Sequence, residues 1–340
     1  MKAIGLTRYL PIEDVASLMD LELEIPKPIG RDLLVNIQAI AVNPIDTKIR
    51  KPKDKVEESP KILGWDAAGI VVDTGSEASL FNVGDKVFYA GELNRSGTNA
   101  EYQLVDERLV GHMPQTLTME QGAALPLTSV TAWECLFDRL GIVEDPAKNH
   151  GKSILIIGGA GGVGSIAIQL AKKVAGLQVV TTASRPETIQ WVKELGADEV
   201  INHRQDLIPQ MNAHQIPLVD YILCNSSTDE YYQTMVQLIK PQGKICALVD
   251  AEKSLNLTLL KGKSATFVWE SMFTRSTYKT DDMIAQHQIL ERISRLVDHG
   301  TLKTTVNEIK KPINAENLRA AHAQLESGST IGKIVLSGWI

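Results

Sequence analysis

The rhythm of apolar and polar positions changes near Gly151. Before it, short apolar runs such as Leu33–Ile40, Ala68–Val72 and Lys86–Tyr89 are separated by Pro, Gly and Asp. Runs of that length between turn formers read as strands. Gly84-Asp85, just ahead of Lys86, adds a tight-turn signal. Residues 1–126 therefore read as one β-rich unit. Beyond Gly151, Ile154–Ile157 is wholly apolar, as expected of a central parallel strand, and Gly161–Val174 reads as a helix. Gln178–Ala183 is strand-like. Ser184–Leu195 carries Ile189, Val192 and Leu195 on one helical face and stops at Gly196. Glu199–His203, Val219–Cys224 and Lys244–Val249 continue as strands, with a helix over Asp229–Ile239. This alternation predicts a doubly wound parallel sheet.

The last part breaks the alternation. Asp281–Val297 is an amphipathic helix running to Gly300. Asn314 is placed as an N-cap, with Ile313 and Leu318 spaced as a hydrophobic staple, and Lys333–Leu336 is a final strand. So short a tail is expected to fold back onto the first unit. The expected division is 1–126 with 275–340, and 127–274 between them. The fold class is α/β.

Composition narrows the function classes. The 340 residues are 44% hydrophobic and 22% charged, a globular profile that excludes disorder and collagen. With 35 basic and 41 acidic residues the formal charge is −6, so neither nucleic acid nor an anionic membrane is an expected partner. Three cysteines, Cys135, Cys224 and Cys246, cannot build a disulfide framework or a four-cysteine zinc lobe, and a reducing cytoplasmic setting is expected. Ser153–Ala171 is uncharged and as long as a membrane span, but Gly158, Gly159, Gly161, Gly162 and Gly164 interrupt it. No secretory leader is read at the start, where Thr7 and Arg8 turn the chain polar.

The same glycines carry the chemistry. Gly159-Ala160-Gly161-Gly162-Val163-Gly164 matches the dinucleotide fingerprint, after an apolar strand and at the opening of a helix. The first glycine makes the turn, the second lets backbone approach a pyrophosphate, and the third packs helix against strand. An acid at the end of the next strand would hold the ribose 2′-hydroxyl of NAD. That strand instead ends Thr181-Thr182-Ala183-Ser184-Arg185. Ser184 and Arg185 suit a 2′-phosphate, so NADPH is the expected cofactor. Ser184 also opens a capping-box pattern with Glu187.

Further segments complete a pattern. They are Ala41-Val42-Asn43-Pro44-Ile45-Asp46, Gly64-Trp65-Asp66-Ala67-Ala68-Gly69, Gly84-Asp85-Lys86-Val87, Asn99-Ala100-Glu101-Tyr102, Leu127–Trp133 and Ile331–Leu336. With the fingerprint, they resemble the medium-chain dehydrogenase/reductase superfamily over nearly the whole chain. The likeness is greatest to the quinone oxidoreductase branch and to proteins labelled zinc-type alcohol dehydrogenase-like. It implies a GroES-like catalytic domain plus a Rossmann domain. By this resemblance Asn43 and Thr131 face the nicotinamide end, and Gly161, Gly162 and Val163 line the pyrophosphate. His203 lies beside the adenosine, Lys333 reaches the cofactor or solvent, and Trp65 and Tyr89 wall a substrate slot or belong to the core. Asp46 orders the cleft or caps a turn. A homodimer through Ala265–Trp269 is implied.

Zinc members of the superfamily hold metal with a Cys, a His and a second Cys. Here those positions read Asn43, Trp65 and the neighbourhood of Leu127, which make no tetrahedral zinc site, so no metal is expected. Ile45 also replaces the hydroxyl that starts the alcohol proton relay. Without zinc, alcohol oxidation loses the cation that acidifies the bound oxygen. Hydride addition to a conjugated double bond or a quinone needs only donors near the developing oxyanion. The expected function is therefore zinc-independent, NADPH-dependent reduction of a quinone or an α,β-unsaturated carbonyl, a small-molecule substrate. The alternatives are a zinc-type alcohol dehydrogenase and a non-enzymatic NADPH-binding protein.

Overall fold

The computed structural model describes residues 1–339. The chain divides into two units, Met1–Leu127 together with the chain from Phe273 onward, and Thr128–Met272.

The first unit is built on two sheets. A three-stranded sheet runs in the order Met19–Glu22, Lys2–Tyr9, Lys53–Ile62. The larger sheet runs in the order Val306–Lys310, Lys333–Ser337, Asp32–Ala41, Ala67–Thr74, Lys86–Tyr89, Val110–His112, with Tyr102–Asp106 also pairing Asp32–Ala41. The tail does fold back: Lys333–Ser337 runs antiparallel to Asp32–Ala41, with Val335 opposite Ala41. It carries a strand that the periodicity missed, Val306–Lys310, whose alternation of half-buried and exposed residues is short and partly charged. Asn314 caps the helix Ala315–Glu326, its Oδ1 accepting from the Asn317 amide at 2.8 Å, and Ile313 and Leu318 are both buried.

The second unit is a six-stranded parallel sheet ordered Glu199–Ile201, Gln178–Thr182, Ser153–Ile157, Val219–Cys224, Ile239–Ala247, Thr266–Trp269. Ser153–Ile157 is buried along its whole length, which is why it reads as an unbroken apolar run. The helix Gly162–Gln169 follows it, and Trp191 from the helix Pro186–Leu195 donates its indole N–H to Ser165 Oγ at 2.8 Å. Leu155, Ile157, Val180, Ile222, Leu238 and Ile245 form part of the core. Pro186–Leu195 ends where Gly196 adopts φ +114°, a left-handed conformation that favours glycine. Its N-cap is Arg185 rather than Ser184. Pro186 occupies the first turn, and Thr188 Oγ1 accepts from the Arg185 amide at 3.1 Å. The expected capping box was one residue early because proline sets the start of the helix. Chain order reverses between Ser153–Ile157 and Val219–Cys224, which places a crevice at their carboxyl ends. Among the described residues no helix is long and apolar enough to cross a membrane.

Candidate functional site

Register brings one cluster together in the first unit. Val335 opposite Ala41 puts Lys333 across from Asn43, and Ile40 opposite Ala67 puts Asp66 beside Ala41. The Ala41 amide donates to Asp66 O at 3.2 Å and the Val42 amide to Ile334 O at 3.1 Å. Three adjacent strand ends thus deliver Lys333, Asn43 and Asp66 to one point. All are buried, Lys333 at 3% exposure and Asp66 at 0%.

Lys333 Nζ donates to Val42 O and Asp66 Oδ2, each at 2.8 Å, and to Asn43 Oδ1. Asn43 Nδ2 donates to Asp66 Oδ2 at 2.8 Å and makes a longer contact of 3.4 Å with Trp65 O. Asp66 Oδ1 accepts from the Leu127 amide at 2.8 Å. Asp46 lies in the first turn of the helix Pro44–Arg50, and its Oδ2 accepts from the Asn43 amide at 2.8 Å. Asp46 therefore caps a turn, and by that bond it also orders the cluster. Burial pushes the Asp46 carboxyl up to about 7, opposed by the Asn43 amide and the Lys333 ammonium. Burial also pushes the Asp66 carboxyl up, with Lys333 pulling the other way.

Trp65 is buried, donates Nε1–H to Glu92 O at 3.1 Å and meets Phe273 edge-on. Tyr89 is also buried, and burial alone raises its phenol. It is paired in register with Ala67, next to Asp66, and its hydroxyl has no partner among the described residues.

In the second unit the fingerprint glycines differ in what demands them. A Cβ on Gly159 would meet Thr181 Oγ1 at 2.0 Å, and one on Gly164 would meet Gly158 O at 2.3 Å, so the fold itself requires both. A Cβ on Gly161 would meet nothing nearer than Gly158 O at 3.7 Å, and its φ is −74°. The fold leaves open space at Gly161, at the amino end of Gly162–Gln169, where no side chain caps the helix. Together with Val163 in that first turn, this is a cradle that fits a pyrophosphate.

Arg185, His203 and Arg204 gather at the ends of Gln178–Thr182 and Glu199–Ile201, where the Ala183 amide donates to Ile201 O at 3.0 Å. The His203 imidazole is shifted down by burial and then by the charges of Arg204 and Arg185. Ser184 is half-buried beside them. Arg185 Nε also lies 3.1 Å from Glu187. Arg204 was not singled out in the sequence, because only the pairing of neighbouring strands brings it here. Asn225 was missed too. It follows Val219–Cys224 at the crevice, and neither end of its buried amide has a partner among the described residues. Only its position after a strand signals it in the sequence. Thr131 is buried on the helix Pro126–Trp133. Cys135, Cys224 and Cys246 are buried and free, as core residues.

Comparison with known proteins agrees with this architecture. Residues 30–124 match the alcohol dehydrogenase GroES-like domain and residues 195–336 the zinc-binding dehydrogenase family. A zinc-type alcohol dehydrogenase-like protein of Staphylococcus epidermidis is 47% identical over 338 residues, 99% of either chain. The NADPH-dependent alkenal/one oxidoreductase of Arabidopsis thaliana chloroplasts is 30% identical, over 94% of this chain and 75% of that protein. A crystal structure of a Rhizobium etli protein assigned as a zinc-dependent alcohol dehydrogenase superimposes with TM-score 0.95 at 46% identity, covering 100% of this chain and 98% of that one. The zinc in these names does not fit the donors present. The positions that the resemblance gives to two zinc ligands carry Asn43 and Trp65, and the Lys333 ammonium is already bound to both Asn43 and Asp66. The GroES-like unit, the parallel sheet with its fingerprint and the full-length similarity make this chain a member of the medium-chain dehydrogenase/reductase superfamily of oxidoreductases, close to the zinc-type alcohol dehydrogenase-like proteins.

Proposed function

We propose that the chain is a zinc-independent, NADPH-dependent reductase of quinones or α,β-unsaturated carbonyls. The observation that carries this reading is the ammonium-centred network of Lys333, Asn43 and Asp66, which includes one of the positions where the resemblance puts metal ligands, Asn43, and bonds the backbone of the other two, Trp65 and Leu127. Such a donor set cannot acidify an alcohol as zinc does. Reduction of an enone or a quinone does not require that step. NADPH, when bound, supplies a hydride. The chain's own part is to bind and orient. The turn at Gly161, Gly162 and Val163 holds the pyrophosphate, with Gly159 and Gly164 shaping it. Ser184, Arg185, His203 and Arg204 hold the 2′-phosphate, a charge-assisted contact. Asn225 offers an amide donor and acceptor to the cofactor in the crevice. Thr131 faces the nicotinamide end.

The network leaves little to donate. The three N–H groups of Lys333 each have an acceptor, and both hydrogens of Asn43 Nδ2 are directed at acceptors. With the Lys333 and Asn43 donors occupied, water supplies the proton that completes the reduction, and positioning supplies most of the rate. The relative named for NADPH-dependent alkenal/one reduction supports the same substrate class. The active form is a homodimer through Thr266–Trp269, the strand at the end of the parallel sheet, where Trp269 is 45% exposed.

Arg185→Ala tests the cofactor assignment. It should weaken NADPH by about 1–3 kcal/mol while leaving NADH nearly unchanged. Equal affinity of the unaltered protein for the two cofactors, measured by titration, contradicts the 2′-phosphate contact.

A further inference from the structure

We infer that the Lys333 ammonium is the resident cation of this site, a tethered substitute for a bound metal, and that it acts as a positioning residue for Asn43. The inference rests on the zinc-independent reading above and says what has replaced the metal. Its basis is geometric. Three oxygen acceptors of different kinds surround Nζ: the Val42 carbonyl, the Asn43 amide oxygen and the Asp66 carboxylate. An ammonium has three N–H groups, so the match is complete. An all-oxygen set of this kind suits a hard cation and is a poor zinc site.

The ammonium also decides which way Asn43 faces. Lysine only donates, so Oδ1 must turn to it, and Nδ2 is then left for Asp66 Oδ2 at 2.8 Å. Asp46 holds the backbone of the same residue through the Asn43 amide at 2.8 Å. Asn43 is thus held at its backbone and at both ends of its side chain. A buried ion pair is a weak source of stability, but it fixes orientation well. Without the ammonium, Asp66 keeps the Leu127 and Asn43 donors but loses its counter-charge. Asn43 Oδ1 then has lost its donor, and the amide is no longer held at both ends and can turn.

Chemical rescue tests this. Lys333→Ala removes the propylammonium part of the side chain. Its melting temperature should fall, rise again in a saturable way with n-propylammonium, and respond little to 1-propanol, the neutral analogue. Lys333→Met fills the space without charge, so it should not respond to the amine. With NADPH and an enone, Lys333→Met should lower kcat about tenfold or more and change the KM for NADPH far less, the mark of lost positioning rather than lost binding. Asp66→Asn added to Lys333→Met should recover melting temperature without recovering kcat, which separates orientation from folding. Equal rescue by propanol and propylammonium overturns the cation claim, and wild-type kcat in Lys333→Met overturns the positioning claim. The melting measurements use no substrate, so they stand even if the unaltered protein reduces no enone or quinone, an outcome that counts against the reductase reading alone.

Discussion

Asp46 is a buried carboxyl whose charge state changes near neutral pH. It is wholly buried, and its carboxyl is raised from an ordinary 3.8 to about 7. The folded protein therefore holds a proton there that the unfolded chain has released. The stabilising effect of that proton is complete below pH 3.8 and is lost as pH rises through about 7. Asp46→Asn keeps an acceptor for the Asn43 amide and cannot ionise. Relative to the unaltered protein, its stability should gain on the order of 2 kcal/mol between pH 5 and pH 7. Denaturant titrations at several pH values check this, and parallel curves for the two proteins would show that Asp46 titrates normally. At this scale the sequence was legible where a motif names a residue: Asn43, Asp46 and Lys333 were all marked. Their partnership was not, because Lys333 lies 290 positions from Asn43 and meets it only through strand register. Asp66 was read within a motif but not as the acceptor of both side chains.

Among the elements, the turn between Ser153–Ile157 and Gly162–Gln169 separates what the fold needs from what a ligand needs. Gly164→Ala would drive a methyl group to 2.3 Å from Gly158 O, so the helix must shift and the protein should lose stability. Gly161→Ala meets only an ordinary contact at 3.7 Å. It should fold with stability within about 1 kcal/mol of the unaltered protein, a small cost at an N-cap, yet lose NADPH affinity. Melting curves and cofactor titrations on the two variants check both halves. Undiminished NADPH binding in Gly161→Ala would contradict the cradle. Strands of the parallel sheet were legible because buried apolar runs such as Ile154–Ile157 have few other readings. Thr266–Trp269 was visible only as an apolar run, while Val306–Lys310 mixes charge with half-buried positions and carried no strand signal. The cap of the helix after Gln178–Thr182 lies one residue later than the Ser184 pattern implied, because Pro186 and Thr188 set its start.

At the scale of the whole molecule, the order of parts was the most legible feature: a β-rich unit, an inserted parallel sheet, and a tail returning as Lys333–Ser337 beside Asp32–Ala41. Short turn-bounded runs followed by strand–helix alternation identify it without any side-chain detail. The corner of Arg185, His203 and Arg204 was only partly legible, since His203 and Arg204 follow a different strand from Arg185. The chain keeps the frame of the zinc-type dehydrogenases, and within it a buried lysine ammonium is bound to Asn43 and Asp66. The most direct measurement is NADPH oxidation with enones, alkenals and quinones by protein treated with a zinc chelator, beside alcohol oxidation with NADP and added zinc. The account predicts turnover of an unsaturated carbonyl or quinone that chelation does not reduce. Loss of that turnover on chelation, or alcohol oxidation restored by stoichiometric zinc, would contradict it.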